Sequence, residues 1–403
     1  TQEERAYSLK ILSIANAILL LKSDDLTNGI NKLKPKNLFL GSEFRNSKKE
    51  EIINSIRLMK NNKGKVFFDS GNITYTSSYL LEDSEQSLKE KRISFFRRSL
   101  NKLNIKKTDL LNSLEKLHKG RVLVIGDTII DQYINSEPLG ISGEAPVIVV
   151  KEINKKNFIG GAAIVASHIK SLGSECKYIS VIGIDKINNF LKKKLTLQNI
   201  NFELIEDEDR PTTLKKRYIV DNQKIFRVSK LDDRLIQNDI EDEIIKLIEK
   251  SVDQIDAIVV SDFNYGVITP KIIEEITLIA KKFNIILIGD VQCSSQIGYV
   301  TKLQNFDLIC ANEKEARISL NDHTSGLEIL CKNLISKTNV KNLIIKLGSK
   351  GIILYKTDKN QDIISQPLPA LSTRAIDTAG AGDSLLSIMS CGLSSGLPIE
   401  IAS

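Results

Sequence analysis

Asp377-Thr378-Ala379-Gly380-Ala381-Gly382-Asp383, followed by the apolar run Leu385, Leu386, Ile388 and Met389, reads as a turn from a strand into a helix. The N–H groups at a helix start have no intrahelical acceptor and sit at the positive end of the helix dipole, so such a turn is an anion site. Gly380, Ala381 and Gly382 keep the backbone open to phosphate oxygens, and Asp383 at the helix start can take the proton of an attacking hydroxyl. Positioning, charge neutralisation and a nearby base are what phosphoryl transfer requires. A lone G-x-G before a helix would be a capped turn; two carboxylates framing a Gly-Ala-Gly core point to chemistry.

Outward from this turn, the chain from about 119 onward alternates buried strands with amphipathic helices. Val122 to Ile125, Tyr178 to Ile182, Ala257 to Val260, Ile285 to Ile288, Leu308 to Cys310 and Leu343 to Ile345 are continuous apolar runs suited to burial on both faces. Ile240, Ile244, Ile245 and Ile248 recur at helical spacing, and Thr269 caps a helix opening with Pro270. The alternation predicts a parallel α/β sheet with helices on both faces and ligands beyond the carboxyl ends of its strands. Glu137 to Lys151 and Lys215 to Val228 alternate instead and predict a small separate sheet, a lid. Residues 1–85 read as another α/β piece, with strands near Ala17 to Leu21, Leu38 to Leu40 and Lys65 to Phe68, and residues 86–118 as a basic helical linker.

A chain of 403 residues has room for two or three domains, and 41% apolar with 27% charged residues is ordinary for a globular protein with a sizeable core. The formal charge of +7 comes from scattered Lys and Arg, which suits small anionic substrates and does not single out nucleic acid. Cysteines 176, 293, 310, 331 and 391 lack C-x-x-C spacing, which argues against disulfides and zinc and fits a reducing cytoplasm. The longest apolar run, Ile11 to Leu21, is too short to span a bilayer and reads as buried helix and strand, so no membrane partner is expected. The chain begins with Thr, as expected of a fragment.

The D-T-x-G-A-G-D pattern resembles the signature of the ribokinase family, the PfkB carbohydrate kinases. The resemblance implies a three-layer α/β/α sandwich with a β lid, ATP and magnesium as cofactors, Asp383 as catalytic base, and Gly380, Ala381 and Gly382 as the anion hole, with Thr378 beside the nucleotide. Gly126-Asp127 with Asp131 resembles the sugar-binding entry, and Gly160-Gly161 the paired glycines where lid meets main domain. Asn312 and Glu315 match N-x-x-E, which orders magnesium through water; Gly348 and Gly351 match the G-x-x-G lining the nucleotide, preceded by Lys346 where Thr is usual. A homodimer through the lid is also implied. Walker A and Rossmann fingerprints are absent from the sequence.

Three segments are similar to the kinase half of bifunctional heptose enzymes, which phosphorylate C1 of D-glycero-β-D-manno-heptose 7-phosphate: Ile141 to Val150, Arg210 to Arg227, and Ser261 to Val267 with Asp262. A substrate already bearing phosphate needs cations, and Lys215, Arg217 and Arg227 on the lid are the candidates. Four positions depart from that pattern: Ile164 replaces Asn, Tyr265 replaces Lys, Asp290-Val291-Gln292 replaces Asp-Pro-Lys, and Lys346 replaces Thr. A kinase for another sugar and a non-catalytic sugar-sensing protein of this fold are the alternatives. Glu4-Arg5, Lys34-Pro35, Gly41 to Phe44 and Tyr75 to Ser78 resemble the second half of a Rossmann-like cytidylyltransferase domain, in which Ser77 and Ser78 would meet a nucleotide phosphate. Its H-x-G-H motif has no match here, so this half is not expected to catalyse nucleotidyl transfer, and the kinase is expected to continue past Ser403.

Overall fold

The computed structural model describes residues 2–3, 6, 17–21, 26–41, 44–45, 47, 49–68, 85–293, 296–357, 363–372, 375 and 378–403. Glu4, Arg5, Ser42, Glu43, Tyr75 to Ser78 and Asp377 of the motifs above lie outside them. The chain divides into two compact units, Thr1–Ser84 and Glu85–Ser403.

In the first unit, β1 (Asn37–Leu40) and β2 (Lys65–Phe68) pair in parallel across the helix Glu50–Asn61. That crossover is the minimal α/β repeat. Met59, Ile52 and Ile30 are buried, and Phe39 stacks on Phe67 at 4.8 Å between ring centroids. Residues 17–21, expected as a strand, are not one: Leu19 and Leu20 are exposed, and among the described residues the sheet holds β1 and β2. A short apolar run has no period that separates a strand from an extended segment, which is why the sequence misleads there.

The second unit is built on a nine-stranded sheet. Its strands are β3 (Arg121–Gly126), β6 (Glu175–Gly183), β7 (Asn201–Asp207), β10 (Ala257–Asp262), β11 (Ile286–Val291), β12 (Leu308–Asn312), β13 (Asn342–Lys346), β14 (Ile352–Thr357) and β15 (Ile363–Leu368). They lie in the order β15-β14-β13-β12-β11-β10-β3-β6-β7, with only β13-β14-β15 antiparallel. Side chains alternate along each strand, and the core splits accordingly. Leu123 and Ile125 join Ile244, Ile272 and Leu330 on one face, while Val122 and Val124 join Ala166, Leu386 and Met389 on the other. Helices on both faces make three layers, as expected of continuous apolar strands.

A second sheet, in the order β5-β4-β8-β9, is formed by β4 (Thr128–Ile141), β5 (Ile148–Gly161), β8 (Thr213–Val220) and β9 (Gln223–Lys230). It covers the two stretches whose alternation suggested a lid. The helix Pro270–Phe283 begins at Thr269, whose hydroxyl accepts from Ile272 N at 3.2 Å. The basic helices do not stand apart as a linker. Arg92 donates to the Ala370 and Ser372 carbonyls, and the Leu117 carbonyl accepts from Ser174 and Ser395, so they belong to the second unit.

Candidate active site

Five adjacent strands end in polar side chains. β3 runs into Asp127, β10 ends at Asp262, β11 carries Asp290, β12 ends at Asn312 and β13 at Lys346. In a parallel sheet these are carboxyl ends, where loops open and ligands sit. The helix Ala381–Ser394 starts above them. Gly380, at φ +81, caps it in a left-handed turn, and Ala381 N donates to the Thr378 carbonyl at 3.2 Å. That geometry leaves the N–H groups of Gly382 and Asp383 pointing out of the helix start.

Asp383 is buried and accepts from Gln292 Nε2 at 2.8 Å; the same amide lies 3.4 Å from Asp290 Oδ2. Asp290, fully buried, takes Lys346 Nζ between its two oxygens at 2.9 and 2.8 Å. A Cβ added to Gly382 would stand 3.5 Å from Lys346 Nζ, so the ammonium adjoins the helix start. Burial, with repulsion from Asp290, pushes the Asp383 carboxyl up to about 6, against the pull of Gln292 and Lys346. A base that tunes towards neutral pH is suited to take a proton from a hydroxyl. Burial alone would lower the Lys346 ammonium, but Asp290 and Glu315 beside it raise it above its ordinary value.

Asn312 and Glu315 form a capping box: Glu315 N donates to Asn312 Oδ1 at 2.8 Å and Asn312 N to Glu315 Oε2 at 2.7 Å. The other Glu315 oxygen accepts from Cys293 N at 3.4 Å, and burial raises the Glu315 carboxyl. No cluster of three metal-ligating side chains occurs among the described residues. Each of these oxygens already holds an N–H yet keeps a lone pair, so the pair fits the outer shell of a hydrated magnesium.

On the sugar side, the two carboxylates read as one entry part company. Asp127 is 1% exposed and accepts from the backbone N–H of Phe263, Tyr265 and Val267 at 2.7, 3.2 and 3.3 Å. Burial and the nearby Asp262 push its carboxyl up to about 7. Asp127 thus ties the 263–267 loop to β3. Asp131 instead reaches the lid cations: Arg217 pairs with it, and Lys215 is its register partner. Repulsion from Asp131 is the smallest of the named influences on the Asp383 carboxyl. Gly160 and Gly161 meet these two aspartates, for a Cβ on Gly160 would stand 2.7 Å from Asp131 Oδ2 and one on Gly161 2.3 Å from the Asp127 carbonyl. Gly161 has φ +61, so both space and backbone require glycine.

Lys215 is buried with its ammonium 5.4 and 5.1 Å from the ring centroids of Phe263 and Tyr265, a cation–π seat. Arg217 lies 5.3 Å from the Tyr133 centroid, and Arg227, exposed, faces Arg217 across β8 and β9. Asp262 is paired with Lys302, a residue that no sequence motif marked, and its other oxygen accepts from Asn264 N at 2.7 Å. Arg210 braces this region from a buried pair with Asp207 at 2.8 Å, donating to the Tyr265 and Arg234 carbonyls. The glycines after β13 differ: Gly348, at φ +60, opens to free space, whereas a Cβ on Gly351 would collide with the Leu368 carbonyl at 2.1 Å. Only Gly348 therefore borders an open surface.

Comparison with known proteins agrees with this architecture. The model of the pfkB family of carbohydrate kinases matches residues 119–402. The bifunctional protein HldE of Campylobacter jejuni is 32% identical over 284 residues, 70% of this chain and 58% of that protein, and HldE of Desulfatibacillum aliphaticivorans is 30% identical over 287 residues, 70% and 57%. The chain thus spans less than two thirds of the length of these curated relatives. Among solved structures, Escherichia coli phosphofructokinase-2 superposes with a TM-score of 0.55 at 17% identity, over 70% of this chain and 89% of that one. Arabidopsis thaliana ribokinase, solved with ribose and ATP, gives 0.54 at 17%, over 70% and 88%. The fold is ribokinase-like, and the chain belongs to the pfkB family of carbohydrate kinases.

Proposed function

We propose that this chain is an ATP- and magnesium-dependent sugar-phosphate kinase acting on C1 of D-glycero-β-D-manno-heptose 7-phosphate, in the cytoplasmic synthesis of nucleotide-activated heptose. The observation that carries the transfer step is the contact of Asp383 with Gln292 beside the helix start and the Lys346–Asp290 pair. The sugar hydroxyl oxygen attacks the γ-phosphorus and forms the new P–O bond while its proton passes to Asp383. The bond to the bridging oxygen breaks, and its electron pair leaves with ADP. The N–H groups of Gly382 and Asp383 receive the phosphoryl oxygens. Magnesium, when bound, neutralises charge on the nucleotide phosphates, with Asn312 and Glu315 accepting from its waters.

The choice of heptose 7-phosphate is supported by the HldE relatives and by the lid. Lys215 and Arg217, two apart on β8, share a sheet face, and Arg227 lies opposite Arg217 on β9. Such a stripe suits a phosphate at the far end of a sugar whose near end lies by Asp131. Ile164, half-buried where the resemblance expects Asn, favours a second reading in which the kinase takes another sugar. Coupled ADP release measured with heptose 7-phosphate, fructose phosphates, ribose and nucleosides separates the two, and no turnover with any of them removes both.

The first unit, with its parallel βαβ crossover, is read as part of a cytidylyltransferase-like domain. A homodimer through the lid is supported by the edge strand β5, which exposes Ile148, Ile153 and Phe158. Light scattering of the protein and of a Phe158→Glu variant tests it, the variant being expected to run at half the mass.

A further inference from the structure

Lys346 stands where the two halves of the transfer site meet. It closes β13 two residues before Gly348, which borders open space, and its Nζ is 3.5 Å from where a Cβ on Gly382 would be. Its partner Asp290 is fully buried, the Gln292 amide bridges Asp290 to Asp383, and Asn312, tied to Glu315 in the capping box, is the register partner of Lys346 on β12. An incoming phosphoryl group adds further negative charge here, and Lys346 is the cation placed against this set. We propose that Lys346 is a catalytic residue. Its ammonium rests on Asp290 beside the helix start and binds the oxygens of the phosphoryl group during its passage from nucleotide to sugar. The inference rests on the phosphoryl-transfer reading above and adds to it a residue that the glycine-rich turn alone does not supply.

The bland alternative is a counter-ion that merely cancels Asp290. The two roles differ in what happens when both charges are deleted. A purely structural pair can be replaced by neutral groups of similar shape with little loss, whereas a cation that holds the transferring group cannot. Gln292 sharpens the distinction, because its amide reaches both Asp290 and Asp383. Asp383 therefore keeps a hydrogen-bonding partner when Lys346 is removed.

The experiment compares wild type, Lys346→Met and Asp290→Asn/Lys346→Met in three measurements: melting temperature, steady-state kinetics, and calorimetric affinity for ADP and for the non-hydrolysable analogue AMP-PNP with magnesium. Lys346→Met is expected to lower kcat by roughly a hundredfold or more, with the KM for sugar little changed. Its affinity for AMP-PNP should fall about tenfold while that for ADP holds, since the γ-phosphoryl is what the ammonium touches. The double variant should recover the melting temperature and not the turnover. Recovery of turnover in the double variant, or equal losses for AMP-PNP and ADP, overturns the proposal. A wild type that phosphorylates no sugar but shows the Lys346-dependent gap between AMP-PNP and ADP overturns the substrate reading alone.

Discussion

Replacing Gln292 by Leu removes the hydrogen bond that Asp383 Oδ1 accepts at 2.8 Å and leaves the rest of the base's surroundings in place. Burial and Asp290 already hold the Asp383 carboxyl at about 6, and Gln292 is one of the groups pulling it down. Deletion of the donor therefore raises it further. A hydrogen bond to a charged group contributes about 1.5–3 kcal/mol, and one pKa unit corresponds to about 1.36 kcal/mol. Water entering beside the leucine offsets part of this, so the expected rise is about one unit, to about 7. The base must be ionised to act, so activity falls as pH drops through this value. At pH 6 the ionised fraction goes from about half to about a tenth, a roughly fivefold loss, whereas at pH 8.5 the two enzymes differ little in this respect. Coupled ADP release between pH 5 and pH 9 at saturating sugar reads the shift directly. Acid limbs that superimpose would refute the assignment of Asp383 as the titrating base.

Asp127→Ala leaves three backbone N–H groups of the 263–267 loop without an acceptor, so thermal and urea unfolding should show a loss of roughly 2–4 kcal/mol. Arg210→Ala strips the buried Asp207 of its partner and should cost roughly 3–5 kcal/mol in the same assay, far more than Arg121→Ala at the half-exposed pair with Asp256. Arg227→Ala should raise the KM for a phosphorylated sugar about tenfold and leave that for ATP unchanged, which initial-rate kinetics with both substrates varied will resolve.

Much of the second unit was legible in the sequence because its strands are buried on both faces. Continuous runs such as Leu308 to Cys310 leave little choice but a covered parallel strand, and Thr269-Pro270 marks a helix start by cap chemistry alone. The turn at 380–383 was legible for the same reason, since glycine at φ +81 followed by a helix is a local property. The pairings that organise the site are not local. Lys346 meets Asp290, and Gln292 meets Asp383, only because β13, β11 and the last long helix converge at the carboxyl end of the sheet. Their signal lay in the departures themselves, with glutamine at 292 and lysine at 346, but substitution patterns do not reveal a distance. Lys302 carried no signal, because its role depends on where a short turn after β11 falls. Asp127 and Asp131 look alike in sequence, four residues apart after one strand. Their fates separate because one carboxylate turns under the 263–267 loop, while the other, on β4 of the lid sheet, pairs across to Arg217 on β8.

The most direct test of the central claim is turnover of D-glycero-β-D-manno-heptose 7-phosphate by wild type and by Asp383→Asn, with sugar binding followed by calorimetry on the same samples. Proton abstraction by Asp383 predicts ADP and a C1-phosphorylated product from wild type, a fall in kcat of roughly a hundredfold to ten-thousandfold in the variant, and sugar affinity within a few-fold. Unchanged turnover in Asp383→Asn, or ADP release that does not depend on any sugar, would contradict it.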